Sequence, residues 1–204
     1  MPAVSEGCRV HYEQPGAGAL LGGALGQVLQ NLGFPRRPLV FLCIGTDRST
    51  GDALGPLVGE RLRSALAQEA VVLGTLGEPV HASNLQEMLL HLRERQPGAV
   101  VCAIDACLGR LETVGTITVG AGALAPGAGV NKALPEVGAA FVTGTVNVGG
   151  FMEYFVLQNT RLHLVMRMAE VIGRGLTLAV RLAAAGPSAG GPQDVAPAVA
   201  WSAG

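Results

Sequence analysis

The chain has 204 residues, 49% of them hydrophobic and only 14% charged, with a formal net charge of −1. That length builds one well-buried domain rather than two, and a near-neutral balance without a basic run excludes an electrostatic case for nucleic-acid binding. Mean hydropathy is +0.41, yet the apolar segments 19–32 and 150–180 are broken by Gly, Gln, Asn, Arg, His and Glu, so neither gives the uncharged run of about 20 residues that spans a bilayer.

Residues 1–16 read as irregular, and Glu6, Arg9, His11 and Glu13 stand where a secretory signal would need a basic, then apolar, start. "ALLGGALGQVLQNLG" (19–33) has leucines at helical spacing and glycines suited to close packing, so 1–35 is expected to be an extension carrying a helix. The main domain is expected over 36–185. It starts with "PLVFLCIG" (38–45), a continuous apolar run bounded by Pro and Gly, as in a strand buried on both faces. A helix follows over about 53–68, then a strand at 70–76 and an amphipathic helix at 83–95.

The third strand is "AVVCAID" (99–105). "GTITVGAG" (115–122) alternates like a strand nearer an edge, and "AAFVTGTVNV" (139–148) is a further strand after a Pro/Gly-punctuated loop. The segment 150–183 is apolar nearly all round, which predicts one long helix buried against the sheet or a partner. The Pro/Gly/Ala-rich tail 186–204 is expected to be disordered. Alternating strands and helices call for a three-layer α/β/α sandwich with a largely parallel or mixed sheet, of hydrolase-like type. Cys8, Cys43, Cys102 and Cys107 lack disulfide-framework spacing, so reduced thiols in a cytoplasmic protein are expected.

In such sheets reactive groups gather outside the carboxyl ends of the strands. "CIGTDRSTGDALGP" (43–56) and "AIDACLG" (103–109) each put an aspartate there. Asp52 suits a helix N-cap and Asp105 a turn. Alternatively they converge as a carboxylate pair, in which one retains a proton near neutral pH while the other activates water. Asp47 and Arg48 share the first loop as substrate-binding candidates or loop-bracing charges, and His81, in "EPVHASNL", either caps the next helix or faces the same cleft. "PGAGVNK" (126–132) lacks a phosphate-loop pattern. Its Asn131 and Lys132 either point inward to orient a carbonyl or stand in solvent. No ligand spacing for a metal is evident, and neither a metal nor another cofactor is expected.

Five stretches, "FLCIGTDRSTGDALGP", "GTLGEPVHASNL", "AIDACLGRLETVGTITV", "PGAGVNKALPEVG" and "VNVGGFMEYFVLQNTRLHLVMRMA", resemble the YyaC-type sporulation proteins, relatives of the spore germination protease. The resemblance covers roughly residues 36–172. It implies a peptidase whose catalytic aspartates are Asp52 in "GDALGP" and Asp105 in "AIDACLG". It also implies protein substrates, small acid-soluble spore proteins among them, and a place in the forespore or mother cell of an endospore former. The related hydrogenase maturation proteases carry a histidine after a later strand, where this chain has Asn147 in "GTVNVGGF". That departure favours an aspartate pair over nickel recognition and leaves Asn147 as a substrate-contacting group. The rival class is a non-enzymatic sporulation protein that uses the same cleft for binding. The low charge and the apolar segments 17–34 and 150–180 further predict a homo-oligomer.

Overall fold

A computed structural model describes residues 7–127 and 134–186. The elements run β1 (Cys8–His11), α1 (Ala17–Asn31), β2 (Leu39–Cys43), α2 (Leu54–Ala65), β3 (Val71–Leu73), α3 (Leu85–Arg95), β4 (Val100–Gly109), β5 (Thr116–Ala121), β6 (Ala140–Val148), α4 (Glu153–Gln158) and α5 (Leu162–Ala185). The six strands form one mixed sheet in the order β1-β5-β6-β4-β2-β3. β3, β2, β4 and β6 are parallel, whereas β5 runs antiparallel to both β6 and β1.

The apolar run 38–45, read as a strand buried on both faces, is just that. Every residue of β2 is buried, with Leu39, Phe41 and Cys43 turned to a large core and Leu42 to a smaller one on the opposite face. The large core takes the inward stripes of α1, α2 and α5, and the small one takes α3 through Leu85 with Met88 and Leu89 beside it. Helices on both faces make the α/β/α sandwich that the strand–helix alternation calls for. α1 lies against α5 so closely that a side chain at Gly22 would meet the Gly175 carbonyl, and its Leu21, Leu25 and Leu29 are fully buried. The segment before residue 35 therefore shares this core.

Three local expectations are corrected. Residues 8–11 are a strand, not irregular chain, because they pair with β5 at the sheet edge and bury Val10. β4 does not stop at Asp105 but runs on to Gly109, since β6 continues to pair with it there through a register shift at Cys107/Leu108. The apolar stretch 150–183 is two helices, α4 and α5, separated at Asn159–Arg161. It is not buried all round: Phe151, Tyr154, Phe155 and Leu162 are exposed. The tail 187–204 and the loop residues 128–133 lie outside the described residues. No helix among the described residues is long and apolar enough to cross a membrane.

Candidate active site

After β2 the chain crosses by α2 to β3 on one side, while β4 has β6 on its other side. Between β2 and β4 the connections thus diverge, and the carboxyl ends of such a strand pair are where open α/β sheets form a ligand crevice. β2 leaves the sheet just beyond Cys43, whose register partner is Ile104, so the next residue of β4, Asp105, borders the gap. The loop after β2 then folds back on its own strand. A side chain at Gly45 (φ 140°) would collide with the Asp52 carbonyl, and one at Gly55 with the Ile44 carbonyl. The Thr46 N–H closes the return by donating to the Asp52 carbonyl at 3.2 Å. These close approaches hold Asp52 over the end of β2, in a single 3-10 turn (Gly51–Ala53) that opens α2.

Asp52 is half-buried, and its side chain makes no capping bond to the helix it precedes. Burial pushes its pKa up, while the Thr46 N–H and the nearby His81 oppose the rise. Asp105 is only 6% exposed. Its Oδ1 accepts from the Ala106 N–H at 2.9 Å and its Oδ2 from the Gly127 N–H at 3.4 Å. Burial first, and then the charge of Asp52, raise its pKa to about 8 against the two N–H donors. The two carboxyls therefore feel one another across the crevice, and they are unequal: the more buried one holds its proton into the neutral range.

His81 belongs to the same group. A bridge from Ile44 to Val80 and the bond from Gly45 N–H to the Val80 carbonyl (2.8 Å) carry it to the end of β2. Its N–H donates to Asn84 Oδ1 at 2.8 Å, ahead of α3, and its Nδ1 accepts from Ser83 N–H at 3.3 Å. In neutral imidazole the proton is thereby assigned to Nε2. His81 thus stands just ahead of α3 and near enough to Asp52 for its charge to act there.

The other candidates stand apart. Asp47 and Arg48 are exposed at the loop tip, where the Thr46 hydroxyl accepts from the Arg48 N–H (3.3 Å) and reaches Asp47 Oδ1 (3.5 Å). Asn147 is occupied in bracing: its amide donates to the Val156 carbonyl (3.3 Å) and to Thr160 Oγ1 (3.1 Å), and its Oδ1 accepts from Val148 N–H (2.8 Å). Those bonds tie β6 to the α4–α5 junction. Asn131 and Lys132 lie outside the described residues. Two further groups border the site, one unannounced by the sequence and one expected there as a buried thiol. One is the Gly127 N–H on Asp105, which no side-chain signal announces. The other is Cys107, whose thiol lies 3.5 Å from Thr145 Oγ1. Burial pushes that thiol up, which keeps it protonated and a poor nucleophile. All four cysteines are free.

Chemically, a neutral carboxyl beside a more accessible one supplies a hydrogen-bond donor and, when the second is ionised, a base at one place. Among the described residues no three His, Cys, Asp or Glu side chains converge as a metal centre would require.

Comparison with known proteins places these features in a family. The chain is 54% identical over 145 residues to the uncharacterized protein YyaC of Bacillus subtilis (strain 168), covering 71% of each chain. Among solved structures it is similar to the NiFe hydrogenase maturation protease HycI of Thermococcus kodakarensis KOD1. That match has 18% identity and a TM-score of 0.40, over 73% of this chain and 98% of that one. The profile of the family described as "Protein of unknown function (DUF1256)" matches residues 9–175, more than three-quarters of the chain, and this protein belongs to that family.

Proposed function

We propose that this protein is a peptidase that hydrolyses peptide bonds with Asp52 and Asp105, acting on protein substrates of the sporulation programme. The observation that carries the reading is the pairing itself. Asp105 in β4 and Asp52 on the turn after the neighbouring parallel strand β2 are near enough for the charge of one to act on the other, and Asp105 is almost wholly buried. The motif resemblance to the germination protease points to the same two residues, and with it to small acid-soluble spore proteins as the substrate class.

The roles follow from the environments. Asp52, the more exposed and with His81 beside it, is the ionised base; Asp105 is the neutral acid. Water attacks the carbonyl carbon and its proton passes to Asp52, while Asp105 gives its proton to the carbonyl oxygen. On collapse that oxygen side returns a proton to Asp105, and Asp52 protonates the departing nitrogen as the C–N bond breaks. A carboxylic acid and an amine leave, and both side chains regain their starting states.

The test is cleavage of spore-protein substrates by wild type, Asp52→Asn and Asp105→Asn. Each substitution is expected to lower the rate by about 10²–10⁴-fold with the fold intact. Wild-type activity should fall as pH rises through about 8, where Asp105 loses its proton. Binding of the substrates without cleavage by the wild type would instead favour the cleft as a binding surface.

A further inference from the structure

The crevice opens onto a polar shelf that neither the mechanism nor the core uses. On the sheet face opposite α1 and α5, the register brings Asp105 of β4 beside Thr143 of β6, Thr143 beside Thr118 of β5, and Thr118 beside Arg9 of β1. Alternation keeps these side chains on one face, because their neighbours Ile104, Val142, Ile117 and Val10 all enter the large core. A second row, Cys107–Thr145, lies alongside. The helix assigned to this face, α3, packs on Leu42 and Ala103 of β2 and β4. The threonines farther out stay half-buried, and Arg9 is exposed.

Threonine is at home on a sheet surface whatever its use, so the hydroxyls alone would say little. The row gains direction from its two ends. One is the candidate acid, and the other is a guanidinium that, among the described residues, has no hydrogen bond or carboxylate partner. The Glu13 carboxylate on the same edge strand's exit is engaged by the Tyr12 hydroxyl instead. The Arg9 charge also acts weakly on the Cys107 thiol, opposing the rise that burial imposes.

We infer that an extended peptide lies along the Asp105–Thr143–Thr118–Arg9 row, its amides bonded by the threonine hydroxyls, and that Arg9 selects a carboxylate on it. Three inter-strand steps of about 4.8 Å put Arg9 roughly 14 Å from Asp105. At about 3.4 Å per extended residue, the carboxylate belongs about four residues from the bond at Asp105. It is either an Asp or Glu side chain or a free C-terminus. This inference rests on the peptidase reading for its register but not for its binding step, so the two are tested separately.

Binding is measured by fluorescence anisotropy on the Asp52→Asn protein. The probes are labelled ten-residue peptides carrying one Glu, the Gln twin, a Lys twin, and an all-neutral peptide with a free or an amidated C-terminus. The Glu peptide or the free C-terminus is expected to bind about fivefold more tightly than its neutral twin, as one exposed ion pair allows. That preference should vanish in Arg9→Gln and pass to the Lys twin in Arg9→Glu. Which probe shows it distinguishes a side chain from a terminus. Equal binding of charged and neutral twins, or a preference that survives Arg9→Gln, overturns the inference. Cleavage of these peptides by wild type reports on the peptidase separately: cutting without charge preference sinks the Arg9 role alone, and charge-dependent binding without cutting sinks only the peptidase.

Discussion

At the scale of single residues, the decisive contrast is between two aspartates with the same chemistry and different surroundings. Asp105 is buried in the sheet, with two N–H donors too few to offset its desolvation and the charge opposite. Asp52 sits on a turn, within reach of His81. Burying the ionised form of Asp105 opposes folding, and linkage fixes the sign. Between its ordinary value of 3.8 and about 8, the folded protein holds a proton that the unfolded chain has lost, so stability falls as pH rises across that window. Asp105→Asn removes the titrating group while keeping the shape. We therefore expect the melting temperature of Asp105→Asn to gain on that of wild type from pH 4 to 8 and to stay level above it. A constant difference across that range would show that Asp105 ionises in the fold as it does in water. Both aspartates were legible as candidates because each comes after an apolar run that reads as a buried strand. Their inequality was not, since it depends on β2 ending while β4 and β6 run on beside it.

At the scale of elements, strands buried on both faces announced themselves by unbroken apolar runs, whereas features fixed by tertiary pairing did not. β1 is four residues with one buried side chain, too short for alternation to register. The break between α4 and α5 has no Gly or Pro to mark it. It is set by Asn147 from β6, which bonds the Val156 carbonyl and Thr160, while Thr160 Oγ1 returns to the Val156 carbonyl at 2.9 Å. Leu157 and Thr160 in turn leave no room for a side chain at Gly51, beside Asp52. Asn147, expected as a substrate contact, thus braces the turn that carries Asp52. Asn147→Ala should destabilise the protein by about 1–3 kcal/mol, because it strands partly buried acceptors. Denaturant unfolding measures this. If Asn147 acted only on substrate, stability would be unchanged. The return loop makes a matching case: Gly45→Ala meets both a positive φ and the Asp52 carbonyl, and a loss of 1 kcal/mol or more is expected in the same assay. A neutral result would mean that the loop closes differently from the geometry described.

At the scale of the whole molecule, a chain this poor in charge must place its apolar surface somewhere. Of the two segments read as interface material, the first is largely spent within the protomer, since the leucine stripe of α1 is buried against α5. The second is not. Phe151 is 79% exposed and Phe155 53%, and both line a groove of about 490 Å³ with Val148 and Val156, while Tyr154, 60% exposed, stands edge-on to Phe155. Exposed aromatic side chains grouped in this way are a recognised mark of association surfaces. The surface adjoins the Asp52 turn through Leu157, so self-association there would shape access to the crevice. We expect sedimentation at micromolar concentration to give a mass above the 20.8 kDa of one chain. Phe155→Ser should shift it towards the monomer with little change in melting temperature, because the ring contributes little to the protomer's own core. A single-chain mass for the wild type at every concentration would retire the oligomer and leave the aromatic surface to some other partner.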